Sequence, residues 1–170
     1  GAPRRPAFPS LAADAPGGGR VFHSADDVPF AALAGRRVGV LGVGASAFDN
    51  AGLALEHGAA AVTMFARRAV LPPVNKSKWT AFPGFFRGFP ALGDAERARF
   101  YTYIFDEQVP PPFESVLRCD RHAAFELRLG EPWLDVAPDA DGVTVTTAAS
   151  VHRFDAVILG TGFDVNLIDR

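Results

Sequence analysis

The hexapeptide Gly42-Val43-Gly44-Ala45-Ser46-Ala47 limits what this chain can fold into more than any other feature of its sequence. It follows Arg37-Val38-Gly39-Val40-Leu41, a short apolar run of the kind that forms a buried parallel strand. Behind it, Ala47, Ala51, Ala54 and Leu55 share one face of a helix predicted from Ala45 to His57, and Gly58 stands where a left-handed C-terminal cap is expected. Ala61-Val62-Thr63-Met64-Phe65 then reads as a second strand. Strand, glycine turn, helix and strand fit the roughly thirty residues of a βαβ unit. In such a unit the first glycine permits the tight turn, the second lets a pyrophosphate approach the backbone, and a third small residue lets the helix pack on the sheet. Those roles fall on Gly42, Gly44 and Ala47. The helix N-terminus offers amides and a positive dipole end to phosphates, and Ser46 adds a hydroxyl. The same residues in an ordinary strand-to-helix turn would bind nothing. The position after a strand and into a helix favours a dinucleotide.

The end of the second strand selects the cofactor. An NAD site places Asp or Glu there, to accept a hydrogen bond from the ribose 2′-hydroxyl. This chain has Phe65-Ala66-Arg67-Arg68 and no acid. Two guanidinium groups suit a 2′-phosphate, so the expected ligand is NADPH, with Arg67 the better candidate; both arginines as merely solvated strand-end residues is the alternative.

The rest of the chain is read against that unit. Residues 1–20, with Pro3, Pro6, Pro9, Pro16 and Gly17-Gly18-Gly19, read as an extended linker. Residues 69–125 are irregular, with an aromatic cluster from Trp79 to Phe89 and a helix predicted from Asp94 to about Gln108, stopped by Pro110-Pro111-Pro112. The aromatic cluster reads as core or interface rather than substrate pocket. Phe125–Leu129, Leu134–Ala137 and Gly142–Thr147 read as short strands, and Asp155–Leu159 as a buried one running into Gly160-Thr161-Gly162-Phe163. The expected fold is α/β: a Rossmann-like parallel sheet with flanking helices, a small antiparallel β element and a partly helical insertion.

With 48% hydrophobic and 21% charged residues and a net charge of −2, the chain reads as a globular domain and not as a nucleic-acid binder. No apolar run is long enough to span a bilayer. The single cysteine, Cys119, excludes an intrachain disulfide, a CxxC redox pair and a cysteine zinc cluster. No metal constellation and no Ser/His/Asp triad spacing is found, and Tyr101 and Tyr103 lack the lysine of a Tyr-x-x-x-Lys pair. Asp26-Asp27 reads as solvated, and Asp49 as a first-turn acid that suits the helix dipole.

Several segments together resemble flavin-dependent monooxygenases with two dinucleotide-binding domains, the class that includes flavin-containing and Baeyer–Villiger monooxygenases. They are Pro6-Ala7-Phe8-Pro9, His23-Ser24, Gly35 to Ala47, Arg67-Arg68 and Asp155 to Phe163, in that order. Gly160-Thr161-Gly162 is similar to the family's Ala-Thr-Gly linker, with Gly160 in place of Ala. Of the fingerprint Phe-x-Gly-x-x-x-His-x-x-x-(Trp or Tyr), Gly19 and His23 match, whereas Gly17 and Asp27 stand at the aromatic positions. The glycine turn that binds FAD in this family is absent from the sequence.

The resemblance implies an oxidoreductase in which NADPH reduces FAD and the reduced flavin activates oxygen to oxygenate a small organic substrate. This chain would supply the NADPH domain of a flavoprotein. Residues 1–34 would lead in from an FAD-binding domain outside the sequence, 35–163 would be the NADPH-binding domain with 69–125 inserted, and 164–170 would begin the return. The segment alone is expected to be inactive, and the parent protein cytoplasmic. Gly42, Gly44 and Ser46 would bind pyrophosphate, Ala47 would admit the helix, and Arg67 and Arg68 would hold the 2′-phosphate. Thr161 and Gly162 would lie on the ligand edge of the sheet, with His23 and Ser24 at the domain junction near the nicotinamide. The alternatives are a flavoprotein reductase without oxygen chemistry, or a non-catalytic nucleotide-binding module.

Overall fold

The structure, a computed structural model, describes residues 2–11, 19–75, 77–107 and 109–164. Gly17 and Gly18 of the predicted linker and nearly all of the predicted 164–170 return lie outside the described residues. The chain divides into two compact units, Gly1–Val70 with Pro111–Arg170, and Leu71–Pro110.

Among the described residues the first unit carries ten strands: β1 (Ala2–Pro3), β2 (Val21–His23), β3 (Arg37–Leu41), β4 (Ala61–Ala66), β5 (Phe125–Leu129), β6 (Trp133–Pro138), β7 (Val143–Thr147), β8 (Val151–Phe154), β9 (Ala156–Leu159) and β10 (Phe163–Asp164). Its central sheet is five-stranded and wholly parallel, in the order β2-β9-β3-β4-β5. Helix α1 (Ala45–Glu56) joins β3 to β4 and completes the predicted βαβ unit. The helix stops where the sequence says it should. Gly58 adopts φ +85° and its amide donates to the Leu55 carbonyl at 2.9 Å. The matching strands of the prediction, 37–41, 61–65 and 125–129, form within one residue of their expected bounds. The fold is therefore the α/β, Rossmann-like arrangement anticipated, with a small three-stranded antiparallel sheet, β6-β7-β8.

Strand pleating sorts the core into two layers. Val38, Val40, Val62, Met64 and Ile158 are fully buried on one face, where α1 covers them with Ala47, Phe48, Ala51 and Ala54. Phe65, Val157 and Leu159 face the other way, into a cluster with Trp133, Val136, Val143, Val145 and Phe154 from the antiparallel sheet. Gly39 sits mid-strand because a Cβ there would lie 2.8 Å from the Phe154 ring. The absent side chain makes room for the aromatic one.

Three elements carry no clear sequence signal. Strand β2 forms inside the stretch read as leading in to the domain, pairing Val21–His23 with Val157–Leu159. Strand β8 closes the antiparallel sheet. A further helix, α2 (Phe113–Asp120), lies beside α1 in the first unit, although its residues fall within the 69–125 region. Two of its residues, Ser115 and Arg118, bind α1. Asp49 lies beyond the first turn of α1 and accepts a hydrogen bond from Ser115 Oγ at 2.7 Å, so it ties two helices together rather than serving the dipole. Arg118 forms a two-pronged pair with Glu56 and packs its stem over Gly52. Cys119 is buried, and burial pushes its thiol up to about 11.

The second unit contains helices at Pro83–Gly88 and Asp94–Glu107 with two 3-10 turns, Lys78–Ala81 and Phe89–Ala91. Its aromatic residues meet each other: Trp79 lies 5.1 Å from Phe85, and Phe85 4.6 Å from Phe89, between ring centres. Phe82 and Phe86 are exposed. No helix among the described residues is long and apolar enough to cross a membrane.

Candidate dinucleotide site at the carboxyl edge of the sheet

In the central sheet β3 crosses through α1 to β4 on one side, while β9 lies on its other side. The cleft outside the carboxyl ends of β3 and β9 is thus the point where strand order reverses, the place at which open α/β sheets bind ligands. Two glycine turns border it, Gly42–Ala47 after β3 and Gly160–Gly162 after β9.

The two predicted glycines of the first turn stand in different surroundings. Gly42 has φ +116°, and a Cβ there would overlap the carbonyl of Gly160. Its amide donates to the Phe65 carbonyl at 2.9 Å, which fixes the turn to the end of β4. Gly44 has φ −84° and ψ 179°, a conformation any residue adopts, and a Cβ there would meet no protein atom within 4 Å. Neither conformation nor packing within the chain demands glycine at 44. Open space over a bare backbone is what a ligand's approach requires.

Ala47 is buried, and its Cβ would be 2.5 Å from a Cβ added at Gly160, with its Cα at 2.8 Å. The close helix approach expected of Ala47 is therefore shared between two small residues on different elements. The Gly160 that replaces Ala in the linker motif is the complement of Ala47. Gly160 also donates its amide to the Leu41 carbonyl at 2.7 Å.

Helix α1 begins with Gly44 as N-cap and no side-chain cap, and its first internal bond is Phe48 N–H to the Gly44 carbonyl at 3.1 Å. Its leading amides are left for a ligand or water. Ser46 lies in this first turn, its carbonyl accepting from Asn50 Nδ2 at 2.8 Å. Arg67 and Arg68 follow β4, next to the β3 turn. Arg67 is exposed and makes no ion pair among the described residues, whereas Arg68 is half-buried.

At the second turn a hydroxyl and a carbonyl are engaged within the chain. The Thr161 hydroxyl donates to the Arg4 carbonyl. The Gly162 carbonyl accepts from Arg4 N–H at 2.9 Å and from His23 Nε2 at 3.1 Å. His23 is fully buried at the end of β2, and its Nδ1 accepts from Ala25 N–H at 3.1 Å. That pair of bonds selects the neutral ring protonated on Nε2. Burial pushes the His23 pKa down, and Arg5 adds to this against the Gly162 carbonyl and Asp26. Ser24 donates its amide to the Leu159 carbonyl at 3.1 Å, and its hydroxyl is buried with no partner. Asp26 is not simply solvated. Its carboxylate accepts from His23 N–H at 2.7 Å and from Arg5 at 2.6 Å, while Asp27 is exposed.

A further polar cluster borders the arginines. Glu131 Oε1 accepts from Thr147 Oγ1 at 2.8 Å, Ser150 Oγ at 2.9 Å and His152 Nε2 at 3.0 Å. Burial pushes the Glu131 carboxyl up, but the bonds from His152, Thr147, Ser150 and Arg128 outweigh it and bring it down to about 2. Nothing in sequence order links these residues; only the β6-β7-β8 fold-back brings them together.

No family model matches the chain. Over 143 residues it is 43% identical to the FAD-dependent urate hydroxylase of Xanthomonas campestris pv. campestris, a match covering 84% of this chain and 30% of that protein. Among solved structures, the ornithine hydroxylase of Pseudomonas aeruginosa superposes with a TM-score of 0.72 at 22% identity, over 98% of this chain and 44% of that one. The ornithine N-hydroxylase of Kutzneria sp. 744, solved with reduced FAD, NADP+ and L-ornithine, gives 0.66 at 18% identity, over 96% and 44%. The chain thus has the fold of part of a flavoprotein hydroxylase, and spans 30% of the curated relative it matches.

Proposed function

We propose that this chain is the NADPH-binding part of a flavin-dependent monooxygenase. The observation that carries the reading is the β3–α1 turn: an uncapped helix N-terminus over a glycine, Gly44, that nothing in the chain itself requires. A pyrophosphate fits this cradle, with Gly42 shaping the turn, Ala47 admitting the helix, and the amides of residues 45–47 and the Ser46 hydroxyl donating to it. Arg67 and Arg68, one strand away, would hold the 2′-phosphate that distinguishes NADPH from NADH. Thr161, Gly162, His23 and Ser24 bound the same edge on the nicotinamide side, and act on the ligand through the backbone they hold in place.

The antiparallel pairing of β1 with β10 brings the chain's two outer segments side by side, as suits a domain inserted in another through two adjacent connections. The partner in this reading is an FAD-binding domain of the same protein. Bound together, the two cofactors supply the redox chemistry; this chain's residues bind, orient and shield the reductant. The substrate is a small organic molecule, and urate, named for the 43% relative, is the first to assay.

The test is made on the intact protein. NADPH is expected to bind at least tenfold more tightly than NADH, and Arg67→Ala to remove about tenfold of the NADPH affinity while leaving NADH within twofold, as loss of a charge-assisted phosphate contact requires. Turnover under labelled oxygen should place a label in the product. Equal affinities would contradict the cofactor assignment, and NADPH oxidation with no labelled product would identify a reductase instead.

A further inference from the structure

Glu131 belongs to neither turn of the cofactor cleft, yet its surroundings reach the strand end that selects the cofactor. The Gly130 amide donates to the Arg68 carbonyl at 2.8 Å, and the Glu131 amide donates to the Ala66 carbonyl at 2.9 Å. Two consecutive amides therefore grip the peptide on either side of Arg67. The grip needs a left-handed residue, and Gly130 supplies it with φ +71°. The Glu131 side chain carries the tie onward, since Thr147, Ser150 and His152 of the β7–β8 hairpin all donate to its Oε1. His152 is itself set against Phe65, at 4.9 Å between rings and edge to face, so the hairpin is fixed to the same strand from its buried side. Only 12% of the Glu131 side chain is exposed, so the carboxylate depends on these donors rather than on water.

We infer that Glu131 is a positioning residue for cofactor selection, holding residues 66–68 so that Arg67 presents its guanidinium to the 2′-phosphate. The inference rests on the proposed NADPH reading. It adds to that reading a residue that touches no ligand and comes from a different strand pair. An exposed arginine on a loose strand end has many rotamers to lose on binding, and a fixed backbone reduces that cost. Because the 2′-phosphate is the one group NADH lacks, loosening this end should weaken NADPH and spare NADH.

The test compares Kd for NADPH and NADH in the intact wild-type protein and in Glu131→Ala, Glu131→Gln, Thr147→Val and Arg67→Ala. Glu131→Ala is expected to weaken NADPH about fivefold, the equivalent of one lost hydrogen bond, with NADH within twofold. Glu131→Gln keeps an acceptor oxygen and should recover part of the loss, while Thr147→Val should move the ratio the same way by less. An unchanged NADPH to NADH ratio in Glu131→Ala and Glu131→Gln, with Arg67→Ala reducing it, overturns the positioning role alone. An equal fall for both cofactors overturns it too, because that is the mark of general damage to the fold. If Arg67→Ala leaves the ratio unchanged, the arginine reading itself fails and the inference falls with it.

Discussion

The glycine turns after β3 and β9 lie side by side at one edge of the sheet, and they are built in opposite ways. After β3 the backbone is bare: no side chain caps α1, and the space over Gly44 is empty. After β9 the Thr161 hydroxyl is bound to the Arg4 carbonyl, and the Gly162 carbonyl is shared between Arg4 and His23. The amides that lead α1 carry no side-chain cap and open at the cleft, where the proposed pyrophosphate would accept from them. The second turn is tied to the N-terminal segment and to β2 through one hydroxyl and one carbonyl. In the proposed reading the contrast separates a ligand cradle from a rim tied to the rest of the chain, although both are rich in glycine.

Substitution should break the comparison most sharply within the first turn. Gly42→Ala combines a left-handed backbone with overlap against the Gly160 carbonyl, and is expected to cost about 3 kcal/mol in urea unfolding. Gly44→Ala should change stability by no more than about 0.5 kcal/mol, yet weaken NADPH about tenfold by covering the approach to the amides. If both variants lose stability alike, Gly44 is structural and the cradle is misassigned.

The next effect tests how the two turns fit together. Gly160→Ala should cost about 2 kcal/mol, because its Cβ meets Ala47 Cβ at 2.5 Å. Ala47→Gly should be destabilising alone, by about 1 kcal/mol, and should recover part of the loss in the double variant. Simple additivity would show that the two residues do not share one space.

The smallest expected effect belongs to His23, which holds the β9 turn through the Gly162 carbonyl. His23 has its folded pKa lowered from 6.5, so the stability it contributes is present above that value and is lost as pH falls below it. Protonation at Nδ1 ends its acceptance from Ala25 and should loosen the 23–26 turn, while the Nε2 bond to the Gly162 carbonyl is kept. After correction for intrinsic rates, the Ala25 amide should lose hydrogen-exchange protection between pH 7.5 and 5.5 in the wild-type chain, while the Arg4 amide, bound to the Gly162 carbonyl, should keep its own. A His23→Gln variant should show no such pH dependence.

What the sequence reveals of this site follows from distance along the chain. The β3–α1 turn is legible because strand, turn and helix are contiguous, and Gly42, Gly44 and Ala47 fall at fixed offsets. Arg67 and Arg68 were legible because the next strand ends at a predictable place. Gly160 was visible only as a departure from a motif; its reason is Ala47, on another element. Strand β2 is three residues long and follows a proline-rich stretch, so neither length nor alternation marks it. Glu131 was out of reach, because its partners Thr147, Ser150 and His152 meet it only when the antiparallel sheet closes.

The central claim is that the β3–α1 turn, and not the β9 turn, receives the cofactor pyrophosphate. It is tested most directly by amide NMR of the intact protein, labelled with 15N at alanine, serine, threonine and glycine and titrated with NADPH. The account predicts large shifts at Gly44, Ala45, Ser46 and Ala47, with much smaller ones at Thr161 and Gly162. Silent amides at 44–47, or the largest shifts at 161–162, would contradict it.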